Sequence, residues 1–110
     1  MKTIIAIAML SMTALAYAPL PAKEVARIRS AIWFAEGGDD AVYPYGVKSV
    51  HCDTVLQARR VCENSIRNNW ERWNESGKTN EFLPFMAARY CPFDQSNWTK
   101  NVRHFYFKNK

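Results

Sequence analysis

The sequence lacks the features that define several classes of protein. Its three cysteines in 110 residues are an odd number, too few for a miniprotein held together by disulfides. It contains no internal repeat and no Gly/Ser-rich linker, so its length favours one domain. No stretch is long and apolar enough for a permanent membrane span. The remaining composition, 48% hydrophobic and 23% charged residues, is that of an ordinary globular protein.

The N-terminal segment has the layout of a targeting signal. Residues 1–18 read MKTIIAIAMLSMTALAYA, in which one lysine precedes an uncharged apolar core and then small residues. This order is typical of a secretory signal peptide. Ala14 and Ala16 form a small-x-small cleavage site, which predicts a signal at 1–16 and one domain at 17–110. The alternatives are an uncleaved anchor and a buried N-terminal helix. We therefore expect a secreted or periplasmic protein.

The charge balance is mildly basic. Fifteen Lys and Arg against ten Asp and Glu give +5, and loss of Lys2 with the signal leaves 14 − 10 = +4. Such a charge suits an anionic partner such as a cell envelope, a membrane surface or nucleic acid. Export and the lack of any helix-turn-helix or RNA-binding signature argue against nucleic acid. We expect a monomer that binds no nucleic acid and has no stable membrane insertion after signal cleavage.

Hydrophobic periodicity predicts an all-α fold of about four helices. Apolar residues recur three or four apart, and the predicted helices span 21–36, 53–76, 80–90 and 97–107. Gly37 and Gly38 end the first helix, and Asp53 is the expected N-cap of the second. The alternating segment 47–50 could add a short strand, which would make the fold mainly α with a minimal β element.

The cysteines allow one disulfide in an oxidising compartment. Ten helical residues rise about 15 Å, whereas a disulfide needs Cα atoms within about 7 Å, so Cys52 and Cys62 are an improbable pair. We favour Cys62–Cys91, with Cys52–Cys91 second and three reduced thiols as the alternative. The cysteines and histidines lack the close spacings CxxC and HxxxH. We therefore expect no metal site and no cofactor.

Glu36 is the residue best placed to do chemistry. It follows the apolar run AIWFA and precedes two glycines. A carboxylate at a helix C-terminus faces the negative end of the helix dipole, and apolar neighbours such as Trp33 and Phe34 add desolvation. Both effects raise the pKa of an acid, as a glycosidic general acid requires. The alternative is that Glu36 is simply a solvated residue at a helix end.

Two segments carry a resemblance to a known superfamily. IWFAEGG followed by YPYGVKS is similar to the opening of lysozyme-like transglycosylase domains, including goose-type lysozymes and soluble lytic transglycosylases. FMAARYCPFDQSNWTKNVRHF resembles the C-terminal pattern of small phage and prophage members. The usual Glu-Ser is Glu36-Gly37 here, Gly46 to Ser49 stands for the Gly-Leu-Met-Gln loop, and the Ala-Tyr-Asn motif is absent.

The resemblance implies a small lysozyme-like domain that cleaves peptidoglycan glycan strands. Glu36 would be the general acid and base of a lytic transglycosylase or muramidase, with Asp39 or Asp40 as a second carboxylate if the reaction is hydrolytic. The implied substrate-binding residues are Tyr43, Tyr45, Ser49 and Tyr90. The alternative is a non-catalytic exported module that binds the envelope, a glycan or another protein on a degenerate lysozyme-like fold.

Overall fold

The fold is all-α, as the periodicity predicts. A computed structural model describes residues 18–78 and 80–108. Its elements are helices α1 (Ala22–Ala35), α2 (Val55–Glu75), α3 (Phe82–Tyr90) and α4 (Gln95–Lys108), with short 3-10 turns at Gly38–Asp40 and Pro44–Gly46. Within those ranges no residue is in a strand, so the expectation of a strand at 47–50 is wrong. The predicted signal at 1–16 lies outside the described residues.

The first helix begins and ends where its punctuating residues indicate. Pro21 caps α1, and its carbonyl accepts hydrogen bonds from the amides of Glu24 and Val25 at 2.9 and 3.0 Å. Proline is tolerated there because the first amides of a helix have no intrahelical acceptor. At the other end Glu36 is the C-cap, and Gly37 follows in the left-handed conformation with φ of 110°.

The second helix starts at a different cap from the one predicted. Thr54 is the N-cap of α2, where its hydroxyl accepts from the Gln57 amide at 3.1 Å. The Gln57 side chain accepts in return from the Thr54 amide at 3.3 Å, which completes a capping box. Asp53 is therefore not the cap, and its carboxylate contacts the His51 ring at 2.7 Å instead. The favourable spacing of Thr54 and Gln57 explains the shift by one residue.

The last two helices also differ slightly from their predicted bounds. Helix α3 begins at Phe82, two residues later than expected, and Pro84 lies in its first turn. Helix α4 begins at Gln95, two residues earlier than expected. The amide of Trp98 donates to the Asp94 carbonyl at 3.0 Å, so the first turn of α4 is already formed before Asn97. No helix in the described ranges has the length and apolar character needed to cross a bilayer.

All four helices contribute to one core. Its buried hydrophobic members are Val25, Ile28, Ala31, Ile32, Tyr45, Ala58, Cys62, Ile66, Met86, Ala87, Trp98 and Val102. Trp98 is buried, and Trp33 packs against the core with partial exposure. Burial of a large apolar side chain contributes about 1.5–3 kcal/mol, so these residues are the main source of stability for such a short chain.

Helices α1 and α4 are also joined by polar and aromatic contacts. The Arg27 guanidinium lies over the Tyr106 ring, 3.7 Å from its centroid, and donates to the Tyr106 carbonyl at 3.1 Å. The Tyr106 hydroxyl donates to Glu24 at 2.7 Å. Nearer the end of α1, Phe34 stacks on Phe105 at 5.6 Å. These contacts fix the direction of α1 and hence the position of its last residues.

Candidate active site

Glu36 lies where α1 stops and the chain turns away. Its amide donates to the Ile32 carbonyl at 2.9 Å, and the Gly37 amide donates to the Phe34 carbonyl at 3.2 Å. The positive φ of Gly37 favours glycine because a Cβ there is strained. The side chain of Glu36 is therefore carried by a rigid helix end, and it is half-buried.

The loop after α1 returns so that Gly46 packs directly against the Glu36 carboxyl group. A Cβ built on Gly46 would lie 2.7 Å from Cδ of Glu36 and 3.3 Å from Cγ, with Oε2 closer still. Gly46 also has a φ of 70°. A residue with a side chain fits this position only if the Glu36 side chain moves away. Sequence reasoning did not identify this contact, although a lone glycine in an otherwise bulky segment is a signal for close backbone approach.

Two aromatic residues hold this loop in place. Tyr45 has a φ of 60° and its ring is buried, 5.0 Å from the Trp33 ring. The Tyr90 hydroxyl at the end of α3 donates to the Tyr45 carbonyl. Backbone conformations with positive φ cost energy in residues other than glycine, and this packing and hydrogen bond stabilise the one at Tyr45. The position of Gly46 is thus set by two helices.

The environment of Glu36 favours its protonated form. Burial raises the pKa of the carboxyl group above its ordinary value, and the positive charge of Lys48 opposes part of that rise. The carbonyl end of α1 is a further physical reason for a raised pKa, because the helix dipole is negative there. A carboxyl group of this kind holds a proton at a higher pH than a solvated glutamate and can donate it to a bound molecule.

A buried thiol lies behind the loop. Cys62 of α2 is fully buried, and its thiol lies near the Tyr90 hydroxyl. Burial raises the pKa of Cys62 to about 12 and also raises the pKa of Tyr90. Both groups are therefore neutral near pH 7, which suits a structural support rather than a nucleophile.

The favoured disulfide is not formed in this structure. Cys52, Cys62 and Cys91 are all within the described residues, and all three are free thiols. The alternative pair Cys52–Cys91 is likewise not formed. The two thiols of the favoured pair lie in different environments: Cys62 is buried in the core on α2, whereas Cys91 is partly exposed at the C-cap of α3. Spacing along the helices did not reveal this difference in position.

The four predicted substrate-binding residues separate into two groups. Tyr43 is half-exposed, with the Lys48 ammonium 5.6 Å from its ring centroid, and Ser49 is exposed. These two remain available to a ligand. Tyr45 is only 7% exposed, so its ring has little surface left for a ligand, and its contact with substrate stays a prediction. Tyr90 is half-buried with its hydroxyl already bonded to the Tyr45 carbonyl, and it serves chiefly to position the loop.

A cavity of about 520 Å³ lies beside this loop, between the loop and the start of α2. Tyr43 and Lys48 line it, together with the exposed pair His51 and Asp53. Glu36 is not among its lining residues. Lys48 therefore both lines the cavity and is close enough to Glu36 for its charge to oppose the rise in that residue's pKa.

Other polar groups near Glu36 show no comparable arrangement. Asp39 and Asp40 are exposed in the 3-10 turn that follows it. Over residues 18–78 and 80–108, no three His, Cys, Asp or Glu side chains are grouped so that they could hold a metal ion. Glu36 is thus the carboxyl group that the fold places in a partly desolvated position next to a loop with exposed ligand-accessible residues.

No protein-family model, curated protein or solved structure matches this chain.

Proposed function

We propose that this protein is an exported peptidoglycan-cleaving enzyme, a lytic transglycosylase or a muramidase, that acts on the glycosidic bond between N-acetylmuramic acid and N-acetylglucosamine. Glu36 is its general acid and base. The observation that carries the proposal is the half-buried Glu36 carboxyl group, raised in pKa and packed against the backbone of Gly46 at the end of α1. The four-helix fold agrees with a small lysozyme-like domain.

In the first step Glu36 donates its proton to the glycosidic oxygen. The bond from that oxygen to C1 of the muramic residue breaks, and the electron pair stays with the departing oxygen. Positive charge develops on C1 and the ring oxygen. A raised pKa is useful here because the group must hold a proton near neutral pH until the substrate binds. The fixed helix end and the Gly46 contact restrict where that proton can be delivered.

In the second step the carboxylate of Glu36 acts as a base. If it takes the proton of the muramic C6 hydroxyl, that oxygen bonds to C1 and closes a 1,6-anhydro ring, with no water consumed. If it takes a proton from water, the remaining hydroxide bonds to C1 and the product is a reducing sugar. The first outcome needs one carboxyl group, whereas the second usually needs another. Exposed Asp39 and Asp40 are the nearest carboxylates along the chain.

Exposed groups beside Glu36 would hold the glycan strand. Tyr43 offers an aromatic face with a lysine beside it, and Ser49 offers a hydroxyl at the exposed side of the same loop. Aromatic faces and polar tips together suit ligands such as sugars, which have an apolar face and a polar edge. Peptidoglycan in the envelope is thus the proposed partner, and a secreted or periplasmic location is part of the proposal.

The test is digestion of purified peptidoglycan by the exported form of the protein and by its Glu36→Gln variant. Glutamine keeps the shape of the side chain but removes the proton that is donated. Glu71→Gln is the matched control, because Glu71 is an exposed glutamate near the C-terminal end of α2. Products are identified by mass spectrometry, and circular dichroism verifies that each variant is folded.

Anhydro-muropeptides from the wild type and the control, but not from Glu36→Gln, would establish a lytic transglycosylase. Reducing products with the same dependence on Glu36 would establish a muramidase. Equal activity of Glu36→Gln and wild type would contradict the role given to Glu36.

A second candidate function is binding of an envelope glycan or a protein without cleavage. It is favoured by one observation: the cavity beside the loop is bounded by Tyr43 and by Val42, which is 86% exposed, yet it does not include Glu36. Retention on insoluble peptidoglycan by wild type and Glu36→Gln alike, with no products released by either, would favour this function over the enzymatic one.

A further inference from the structure

A second groove lies on the outer face of α4, away from the residues around Glu36. It has a volume of about 870 Å³ and is bounded by Pro84 of α3 and by one side of α4. Its basic lining residues are Lys100, Arg103, His104 and Lys108. No aspartate or glutamate is among its lining residues, and helix α4 itself has none from Gln95 to Lys108. We call this surface the α4 groove.

The positive charges of the α4 groove are mostly not neutralised within the protein. Lys100, His104 and Lys108 are four residues apart and therefore lie in one stripe along the helix. In the part of the chain that the structure describes, no carboxylate lies within 4.0 Å of these three side chains. Arg103 alone has such a partner, Glu81 at 2.5 Å.

The helix does not need these charges for its own stability. Lys108 in the last turn interacts favourably with the helix dipole, but Lys100 and Arg103 lie in the middle of α4, where that effect has faded. Neighbouring like charges on one face repel each other. A negatively charged partner would remove this repulsion, so the stripe indicates an anionic ligand.

An exposed aromatic side chain in the same groove narrows the choice of ligand. Phe107 is 58% exposed and lines the groove next to Lys108, with Pro84 as a second apolar residue. A soluble phosphate or a polyphosphate would engage the cations and gain little from Phe107, because neither has an apolar or aromatic part. The surface of a bilayer offers both phosphates for lysines and a headgroup region into which an aromatic ring can partition.

We propose that the α4 groove binds the surface of a membrane that contains anionic phospholipids. Lys100 and Lys108 contact the lipid phosphates, while Phe107 enters the headgroup layer. The folded domain lies on the membrane and does not cross it. Because α4 is packed on α1 and α3, the surface is preformed. This site is independent of the function proposed for Glu36.

The test measures sedimentation of the protein with vesicles. One set contains phosphatidylcholine alone, and the other contains an equal mixture of phosphatidylcholine and phosphatidylglycerol. The exported form, beginning after Ala16, is used because the apolar segment before it would itself bind lipid. We expect binding to the mixed vesicles alone, weakened by salt. The double variant Lys100→Glu/Lys108→Glu should bind the mixed vesicles at least about tenfold more weakly than wild type. The reason is that each lysine near an anionic surface contributes several-fold in affinity.

The matched control is Arg60→Glu/Arg67→Glu, which makes the same change of net charge on exposed positions of α2. The measurement is made at an ionic strength of about 0.15 M, where charges farther than about 8 Å from the membrane are screened. We therefore expect the binding of this control to stay within about twofold of wild type. Equal losses in the two double variants would show that net charge alone is responsible and would overturn the proposal. Phe107→Ser should also weaken vesicle binding without affecting the fold.

Two further outcomes would also overturn the proposal. The first is failure of the wild type to bind the mixed vesicles. The second is tight binding of soluble polyphosphate that depends on Lys100 and Lys108 but not on Phe107, with no binding to vesicles; this would identify an anionic polymer as the ligand instead. Circular dichroism establishes folding of each variant, and Lys100→Gln/Lys108→Gln replaces the glutamate variant if that one is unfolded.

Discussion

Gly46 and Glu36 are in direct contact: the backbone of the glycine forms one wall of the position that the carboxyl group occupies. A Cβ at residue 46 would overlap the carboxyl carbon at 2.7 Å. Glu36 is at the end of α1 and Gly46 is in the loop that follows it. A side chain added at residue 46 would therefore displace the Glu36 carboxyl group.

Gly46→Ala should displace the Glu36 side chain while the helices remain folded. Misplacement of a reacting group by about 1 Å lowers rates by about a hundredfold, so peptidoglycan cleavage should fall by that order. An alanine at positive φ also costs about 1–2 kcal/mol. The measurements are the cleavage rate and the free energy of unfolding in urea.

Gly77→Ala is the control that separates displacement of Glu36 from the cost of an alanine at positive φ. Gly77 has a φ of 88°, and a Cβ there would meet no atom within 4 Å. The control should lose comparable stability and keep its cleavage rate. Equal rates for Gly46→Ala and Gly77→Ala would contradict the importance of the contact with Glu36.

Replacing Glu36 by glutamine should stabilise the protein at pH 7. The folded-state pKa of Glu36 is raised, so the folded protein favours the protonated acid. The contribution of Glu36 to the free energy of unfolding is fully present below the unfolded-state pKa. It is lost as pH rises through the folded-state pKa. Glutamine is never charged, so Glu36→Gln should be more stable than wild type at pH 7 and equal to it below about pH 4.

Urea unfolding at both pH values measures this difference, and the exposed Glu71→Gln is the control, with a change within about 0.5 kcal/mol at either pH. A loss of stability in Glu36→Gln at pH 7 would show that the charged form is the one that the fold favours.

Lys48→Met should raise the pKa of Glu36 further, because the lysine charge is the interaction that lowers it. Nuclear magnetic resonance titration of the Glu36 side-chain carboxyl carbon measures this directly and does not depend on activity. If Glu36 is the general acid, the falling limb of the pH–rate profile should move to higher pH in the same variant, because the acid must be protonated.

Lys23→Met is the matched control, since Lys23 is in the first turn of α1, about 20 Å from Glu36 along the helix. If the titration midpoint of Glu36 in Lys48→Met is unchanged or lower than in wild type, the electrostatic role of Lys48 is contradicted.

The three cysteines should differ in their reactivity toward a thiol reagent. Cys62 is buried with a pKa of about 12, so it should react only when the protein unfolds. Cys52 is partly exposed and should react first. Cys91 is partly exposed with a pKa raised by burial and by Glu36, so it should react more slowly. Mass spectrometry of digested, labelled protein gives the order, and a Cys62–Cys91 disulfide peptide would contradict it.

Periodicity and punctuation predicted the helices well because these are local properties. Gly37 ends α1 where its freedom to adopt positive φ is needed, and Pro84 lies in a first turn where its missing amide is harmless. The errors were also local in origin. Thr54 is a better cap than Asp53 because Gln57 completes a reciprocal pair, and the alternation at 47–50 did not form a strand because no second strand pairs with it within the described residues.

The candidate site was only partly predictable for a different reason. Glu36 could be singled out because its helix end and its apolar neighbours are adjacent in sequence. The exposure of Tyr43 and the burial of Tyr45 could not be distinguished, because both are tyrosines in one short loop. Which ring turns inward depends on Trp33 and on Tyr90, a residue from another helix.

The sequence by itself determined the helical class, the ends of α1 and the position of the Glu36 carboxyl group at the C-terminus of that helix. Tertiary structure alone decided that Gly46 lies against that carboxyl group, that Tyr90 holds the loop through the Tyr45 carbonyl, and that the three cysteines stay apart. Local rules act over three or four residues, whereas these contacts join residues ten to forty-five positions apart. Packing of the helices around the common core brings such residues together. A periodicity of three or four residues contains no information about contacts between residues so far apart in sequence.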